Sequence, residues 1–198
     1  MNKTILFFAL LGLILSSSAC RNKAGGKVDV ADLNAGTITF SISQPKDGGS
    51  TEGGFMAGMM PKEATMYFDN DQAAIEVSMM GLVTMRLISN ARARTETVLI
   101  SGMGGKQASV ATEADLKPML DSLTLITEET KETKEILGVM TTKYLVRDTV
   151  KHTESAVFIA KDAPVGNLYW CLPIGKLKGL ILGYETANGA SNGAAKLS

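Results

Sequence analysis

From Gly36 to Ser89, outside one Pro- and Gly-rich break, apolar and polar residues trade places in short runs, and no other feature of this chain narrows its fold so sharply. Ile38, Phe40 and Ile42 alternate with Thr37, Thr39, Ser41 and Ser43. Ile75, Val77 and Met79 alternate with Glu76 and Ser78, and Val83, Met85 and Leu87 with Thr84 and Arg86. Successive side chains of a strand point to opposite faces, so this period of two predicts strands with one dry and one wet face. The runs Ala64 to Phe68, Ala73 to Met80 and Val83 to Ser89 are separated only by Asp69-Asn70-Asp71-Gln72 and by Gly81-Leu82. Such short connections predict an antiparallel meander. Thr95 to Ile100 and Lys106 to Ala111 add a hairpin around Gly102-Met103-Gly104-Gly105, whose glycines can take positive φ.

The pattern then changes period. Thr112 is an N-cap candidate followed by Glu113 and Asp115, and Leu116, Met119, Leu120 and Leu123 recur at helical spacing. Pro118 limits this helix to two or three turns, because a proline inside a helix removes one hydrogen bond. Strand chemistry returns in Leu125 to Lys131, Met140 to Arg147 and Glu154 to Ala160, with Gly138 and the polar Asp148 to Thr153 as turns. Asn167 to Gly175 reads as a helical turn or packed loop, and Gly179 to Glu185 as a last strand. The expected fold is mainly β with one short helix, a β-rich α+β chain. Its meander curves into an open half-barrel with the helix near Glu113 to Leu123 across the concave face; a β-sandwich is the alternative.

Ahead of the strands, Lys3 precedes an apolar run from Phe7 to Leu15, and Ser16-Ser17-Ser18-Ala19 leads to Cys20. This stretch resembles a bacterial lipoprotein signal, although the place three residues before the cysteine, usually Leu, is Ser17. The resemblance implies cleavage before Cys20, acylation of Cys20 by a lipid such as palmitate, and attachment of the chain to a membrane. The apolar run is too short to span a bilayer. The expected divisions are 1–19 signal peptide, 20–34 lipidated cysteine and flexible tether, 35–188 a single β-rich domain, and 189–198 a disordered tail of Ala, Gly, Ser and Asn. No acidic residue follows in Arg21-Asn22-Lys23, which resembles default delivery to an outer membrane facing the periplasm. With 20 basic and 20 acidic residues the chain is neutral, and no electrostatic footprint for nucleic acid is visible. If Cys20 is acylated, Cys171 is left without a disulfide partner.

The chain is also similar to an uncharacterised family of bacterial envelope proteins and lipoproteins, themselves like the half-barrels of lipoprotein carriers and receptors in outline. The residues that carry this are Met59-Met60-Pro61 before the strand containing Tyr67, the Met-rich meander, Met103-Gly104-Gly105-Lys106, Thr133-Lys134-Glu135-Ile136-Leu137-Gly138 and Leu177-Lys178-Gly179-Leu180. The match spans roughly Gly36 to Glu185. It departs where Gln107 and Val139 stand in place of the usual aromatic residues. The resemblance implies a fold and a location, and brings no catalytic residues.

Seven of the 11 methionines, Met56, Met59, Met60, Met66, Met79, Met80 and Met85, fall within thirty residues. Thioethers are soft ligands for Cu(I), but one His and one further Cys are thin support, so no metal site is expected. Adaptable core packing is the first reading and an apolar groove the second. The groove candidates are Phe55, Met56, Met59 and Met60 in a Gly-rich loop, with Met66 and Met85 on the strands. His152, near Asp148 and Ser155, has no nucleophile frame around it. Gly102 to Gly105 lacks the Gly-Lys-Ser/Thr ending of a phosphate loop. The mixed-charge run Glu128 to Glu135 reads as a solvated face or hairpin end. The expectation is a membrane-anchored envelope lipoprotein that is not an enzyme, has no cofactor, and binds an apolar ligand such as a lipid or acyl chain. The alternative is a structural or partner-binding lipoprotein without a small ligand.

Overall fold

The computed structural model describes residues 29–42, 61–122, 124–150, 152–171, 177–186 and, for the backbone, 195–197. The candidate lipidation site Cys20 and the loop candidates Phe55, Met56, Met59 and Met60 lie outside the described residues. The fold is mainly β with one helix, built as two antiparallel sheets with no closed barrel.

The first sheet has seven strands. The meander runs β1 (Ala35–Ser41), β2 (Glu63–Asp69), β3 (Gln72–Met79), β4 (Val83–Asn90), β5 (Thr95–Gly102) and β6 (Gly105–Thr112), each paired with the next. Helix α1 (Glu113–Asp121) follows β6 directly. The second sheet holds β7 (Leu125–Ile136), β8 (Val139–Asp148), β9 (Thr153–Ala160) and β10 (Leu180–Thr186), ordered β10-β9-β8-β7. A short strand β11 (Ala195–Leu197) returns to pair with β1 at the edge of the first sheet.

Two segments expected to lie outside the domain contribute to it. A 3-10 turn at Val30–Asp32, capped by the Asp29 side chain, delivers Leu33 into the main core, so folded structure begins ahead of residue 35. At the other end β11 falls within the expected tail. Its pairing with β1 gives backbone groups partners that composition alone does not reveal.

The register decides which side chains share a face. Ile38, Met66, Ile75, Leu87 and Val98 form one cross-strand row, Phe40, Ala64, Val77, Met85 and Ile100 the next, and Phe68, Ala73, Ser89, Glu96 and Ala111 a third on the same side. This is the inner face. At its β1 to β3 side Ile38, Met66, Phe68 and Ala73 pack with Ile136, Val139, Phe158, Leu180 and Leu182 of the second sheet. Leu168 and Tyr169, from the loop after β9, complete that core, and Tyr169 Oη accepts the Ile181 N–H at 3.0 Å. Gly179 begins the return to β10 at φ 107°, where a Cβ would collide with the Ala160 carbonyl.

Thr112 closes a capping box. Its Oγ1 accepts the Asp115 N–H at 3.4 Å, while Asp115 Oδ2 accepts the Thr112 N–H at 2.9 Å. The helix continues through Pro118 for nine residues in all, and Lys117 pairs with Asp121 across one turn. Leu116 is its buried residue; it packs with Trp170 and Cys171, and Ala111, Met119 and Leu120 lean on the same cluster. The helix thus covers the inner face at the Ala111 end.

Candidate functional site

On β3, β4 and β5 the inner face carries Met79, Val83, Met85, Leu87, Val98 and Ile100. Only Leu87 is fully buried; the others are half-buried, and none of the six belongs to a packed core cluster among the described residues. The cause is topological. The second sheet has four strands against seven, and its contacts fall on the β1 to β3 side, while α1 covers only the Ala111 end. Among the described residues an apolar strip is left between them, about 14 Å long on β4 from Val83 to Leu87 by strand rise. It has the chemistry of an apolar ligand surface.

At its covered end the strip meets a buried polar cluster. Glu96 follows Ile100 and Val98 down the inner face of β5 and is 1% exposed. Cys171 Sγ donates to Glu96 Oε1 at 2.7 Å, in the interior. Ser89 is the cross-strand neighbour of Glu96; it lies close enough to ease ionisation of the carboxyl but makes no well-formed hydrogen bond. Ser89 Oγ, Glu96 Oε2 and Trp170 Nε1 are all buried without a hydrogen-bond partner among the described residues. Burial holds the Glu96 carboxyl above its ordinary value, against the smaller opposing effects of Cys171 and Ser89. Burial, reinforced by the neighbouring carboxyl, also pushes the Cys171 thiol up. A thiol so placed is a hydrogen-bond donor and a weak nucleophile.

The sequence candidates separate in space. Met66 is 2% exposed and sits in the main core between the sheets, away from the strip. Met85 lies on the strip itself, between Val77 and Ile100. Of the other meander methionines, Met79 joins the strip and Met80 projects from the next turn. The buried cluster escapes sequence reasoning, because a glutamate in a strand is ordinarily solvated. One signal was available: Glu96 has the same parity as Val98 and Ile100.

Among the described residues no hydrolytic constellation forms around His152. That residue is exposed in a turn at φ 53°, Ser155 Oγ accepts from the Tyr184 hydroxyl, and Asp148 Oδ1 accepts the Val150 N–H. The run Glu128 to Glu135 lies within β7, and several of its charges are ion-paired across the second sheet: Glu128 with Arg147, Glu129 with Lys161, Glu132 with Lys143 and Lys134 with Glu185. Among the described residues no group of three His, Cys, Asp or Glu could hold a metal ion, and no helix is long and apolar enough to cross a membrane.

No protein-family profile matches the chain, and no curated protein sequence does. Among solved structures it is similar to PNGF-II in two crystal forms. The form in space group P21 is 13% identical with a TM-score of 0.47, and the match covers 82% of this chain and 27% of that one. The C2 form is 12% identical with a TM-score of 0.46, covering 83% and 26%. The chain therefore corresponds to about a quarter of the length of the structures it matches.

Proposed function

We propose that this chain is a bacterial envelope lipoprotein, attached to the outer membrane through a lipid on Cys20 and facing the periplasm. In this reading it is not an enzyme, and it holds an apolar ligand such as a lipid or acyl chain against the inner face of its larger sheet. The observation that carries the ligand reading is the strip Met79, Val83, Met85, Val98 and Ile100, apolar and half-buried yet outside every packed cluster among the described residues. Unbranched methionines suit such a surface, since they conform to chains of differing shape. The anchor rests on the lipoprotein-like stretch ending at Cys20.

Two measurements test these parts separately. Native mass spectrometry of the purified protein should show a co-purifying lipid, and a fluorescent acyl probe should bind with an affinity that falls at least tenfold in a Met85→Ser, Ile100→Ser double variant. A wild-type protein that binds no acyl probe refutes the ligand reading. For the anchor, Cys20→Ala should shift the protein from the membrane to the soluble envelope fraction; its recovery in the salt-washed membrane pellet would refute attachment through Cys20.

A further inference from the structure

The antiparallel order of the larger sheet brings its β3–β4 and β5–β6 turns to the same end. Three large apolar side chains project there: Met80 is 60% exposed, Leu82 54% and Met103 88%. The two tips touch, because a Cβ on Gly102 would lie 3.0 Å from the Leu82 carbonyl oxygen. Neither tip needs these residues for its geometry. Met80 and Gly81 both hold positive φ, 52° and 68°, and Leu82 N donates to the Met79 carbonyl at 3.0 Å. Asn, Asp and Gly take this conformation at least cost, and a long apolar side chain is unfavourable there both in conformation and in hydration. Met103 sits among Gly102, Gly104 and Gly105, which bring no cover of their own. Beside the tips stand Lys62 and Lys106, both exposed, and among the described residues Glu63 is the acidic residue at this end of the sheet.

We propose that this end of the sheet is a membrane-docking surface, in which Met80, Leu82 and Met103 enter the headgroup and upper acyl region of an anionic bilayer while Lys62 and Lys106 meet the lipid phosphates. Apolar residues flanked by lysines that can extend toward headgroups are the combination that binds a bilayer interface reversibly. The lysines set the preference for anionic lipid and make docking sensitive to salt. The proposed attachment at Cys20 is compatible with this. The first strand starts at the far end of the sheet, level with Thr95 and about 27 Å from the tip along the eight residues of β5, and the nine residues from Cys20 to Val28 can reach about 30 Å. Tip docking stands apart from ligand binding on the inner face and does not require it.

The test places a tryptophan in the tip and compares it with one at another exposed apolar site. Trp170 is the chain's single native tryptophan and is buried, so Met103→Trp and Val150→Trp of the full chain each report their own surroundings above a constant background. Vesicles of phosphatidylglycerol and phosphatidylcholine containing brominated acyl chains should shift the Met103→Trp emission to the blue and quench at least half of the added signal. Val150→Trp should change little. Pure phosphatidylcholine or 0.5 M salt should abolish the tip effect, as should Lys62→Glu with Lys106→Glu. Equal quenching at both positions means association that does not go through the tip and overturns the proposal. Blue-shifted Met103→Trp emission before vesicles are added shows the tip covered by protein and overturns it, and unquenched emission in anionic vesicles does so directly.

Discussion

Glu96 should make the stability of this protein fall as pH rises through the weakly acidic range, and Glu96→Gln should remove that fall. The carboxyl is 1% exposed, and burial holds it above its ordinary value of 4.5. Between 4.5 and the raised folded value the unfolded chain releases the Glu96 proton while the folded chain keeps it. Folding in that window therefore takes up a proton, and stability drops by about 1.4 kcal/mol per pH unit. Below 4.5 both states are protonated and the contribution is fully present. Above the folded value it is lost, and the protein holds a buried carboxylate to which, among the described residues, Cys171 donates at 2.7 Å. Glutamine keeps an acceptor for Cys171 and cannot ionise. The variant should thus match wild type near pH 4 and become the more stable of the two as pH rises, at about 1.4 kcal/mol per unit across the window. Urea titrations at half-unit intervals from pH 4 to 8, followed by fluorescence of the adjoining Trp170, measure the difference directly. Surface carboxylates cancel in it, including Glu129, which Lys161 and then Tyr144 hold below the ordinary range. A difference independent of pH, or one that widens as pH falls, would refute the protonated buried state.

Further outcomes follow from packing and local geometry. Met66→Ala should cost about 2–5 kcal/mol in urea melts, as expected for a fully buried side chain, and Met85→Ala, half-buried on the strip, clearly less. Thr112→Ala removes the capping box and should cost about 1 kcal/mol. Gly179→Ala should destabilise by about 1–3 kcal/mol from its φ of 107° alone, before the clash with the Ala160 carbonyl is counted, and thermal denaturation would show it.

How far the sequence could be read depended on whether the deciding interaction was local. The meander was legible because each of its hairpins is set by neighbouring residues, and β1 to β6 follow the alternation within a residue or two. The helix was legible for the same reason, its Thr112 and Asp115 cap being three residues apart. Where the chain crosses between sheets the signals are weaker. Nothing local in Leu125 to Ala160 says that these strands form a sheet of their own. The division depends on α1 carrying the chain away from the β6 edge, and on Phe158 and Leu180 meeting Ile38 and Met66 across the core. Leu33 and β11 were missed similarly, since each is fixed by a partner far along the chain. Glu96 was hidden because its burial is imposed by Trp170 and Cys171, some seventy-five residues away.

The methionines show how register turns one residue type into different functions. Met66, Met79, Met80 and Met85 are indistinguishable by composition and lie within twenty residues. Met66 occupies the row that the second sheet covers, so its flexibility is spent on filling a core. Met85 lies one row nearer the tips, where that cover ends, and is left half-buried beside Val98 and Ile100. Met79 and Met80 are adjacent in sequence, yet one lies on the inner face and the other is 60% exposed in the turn, because the pairing of Met79 with Val83 ends the strand between them. A one-residue slip of β3 against β4 would exchange inner and outer faces, burying Glu76 and exposing Ile75 and Val77. The strip and the tip residues therefore depend on the same register, which the packed β1 to β3 side holds in place.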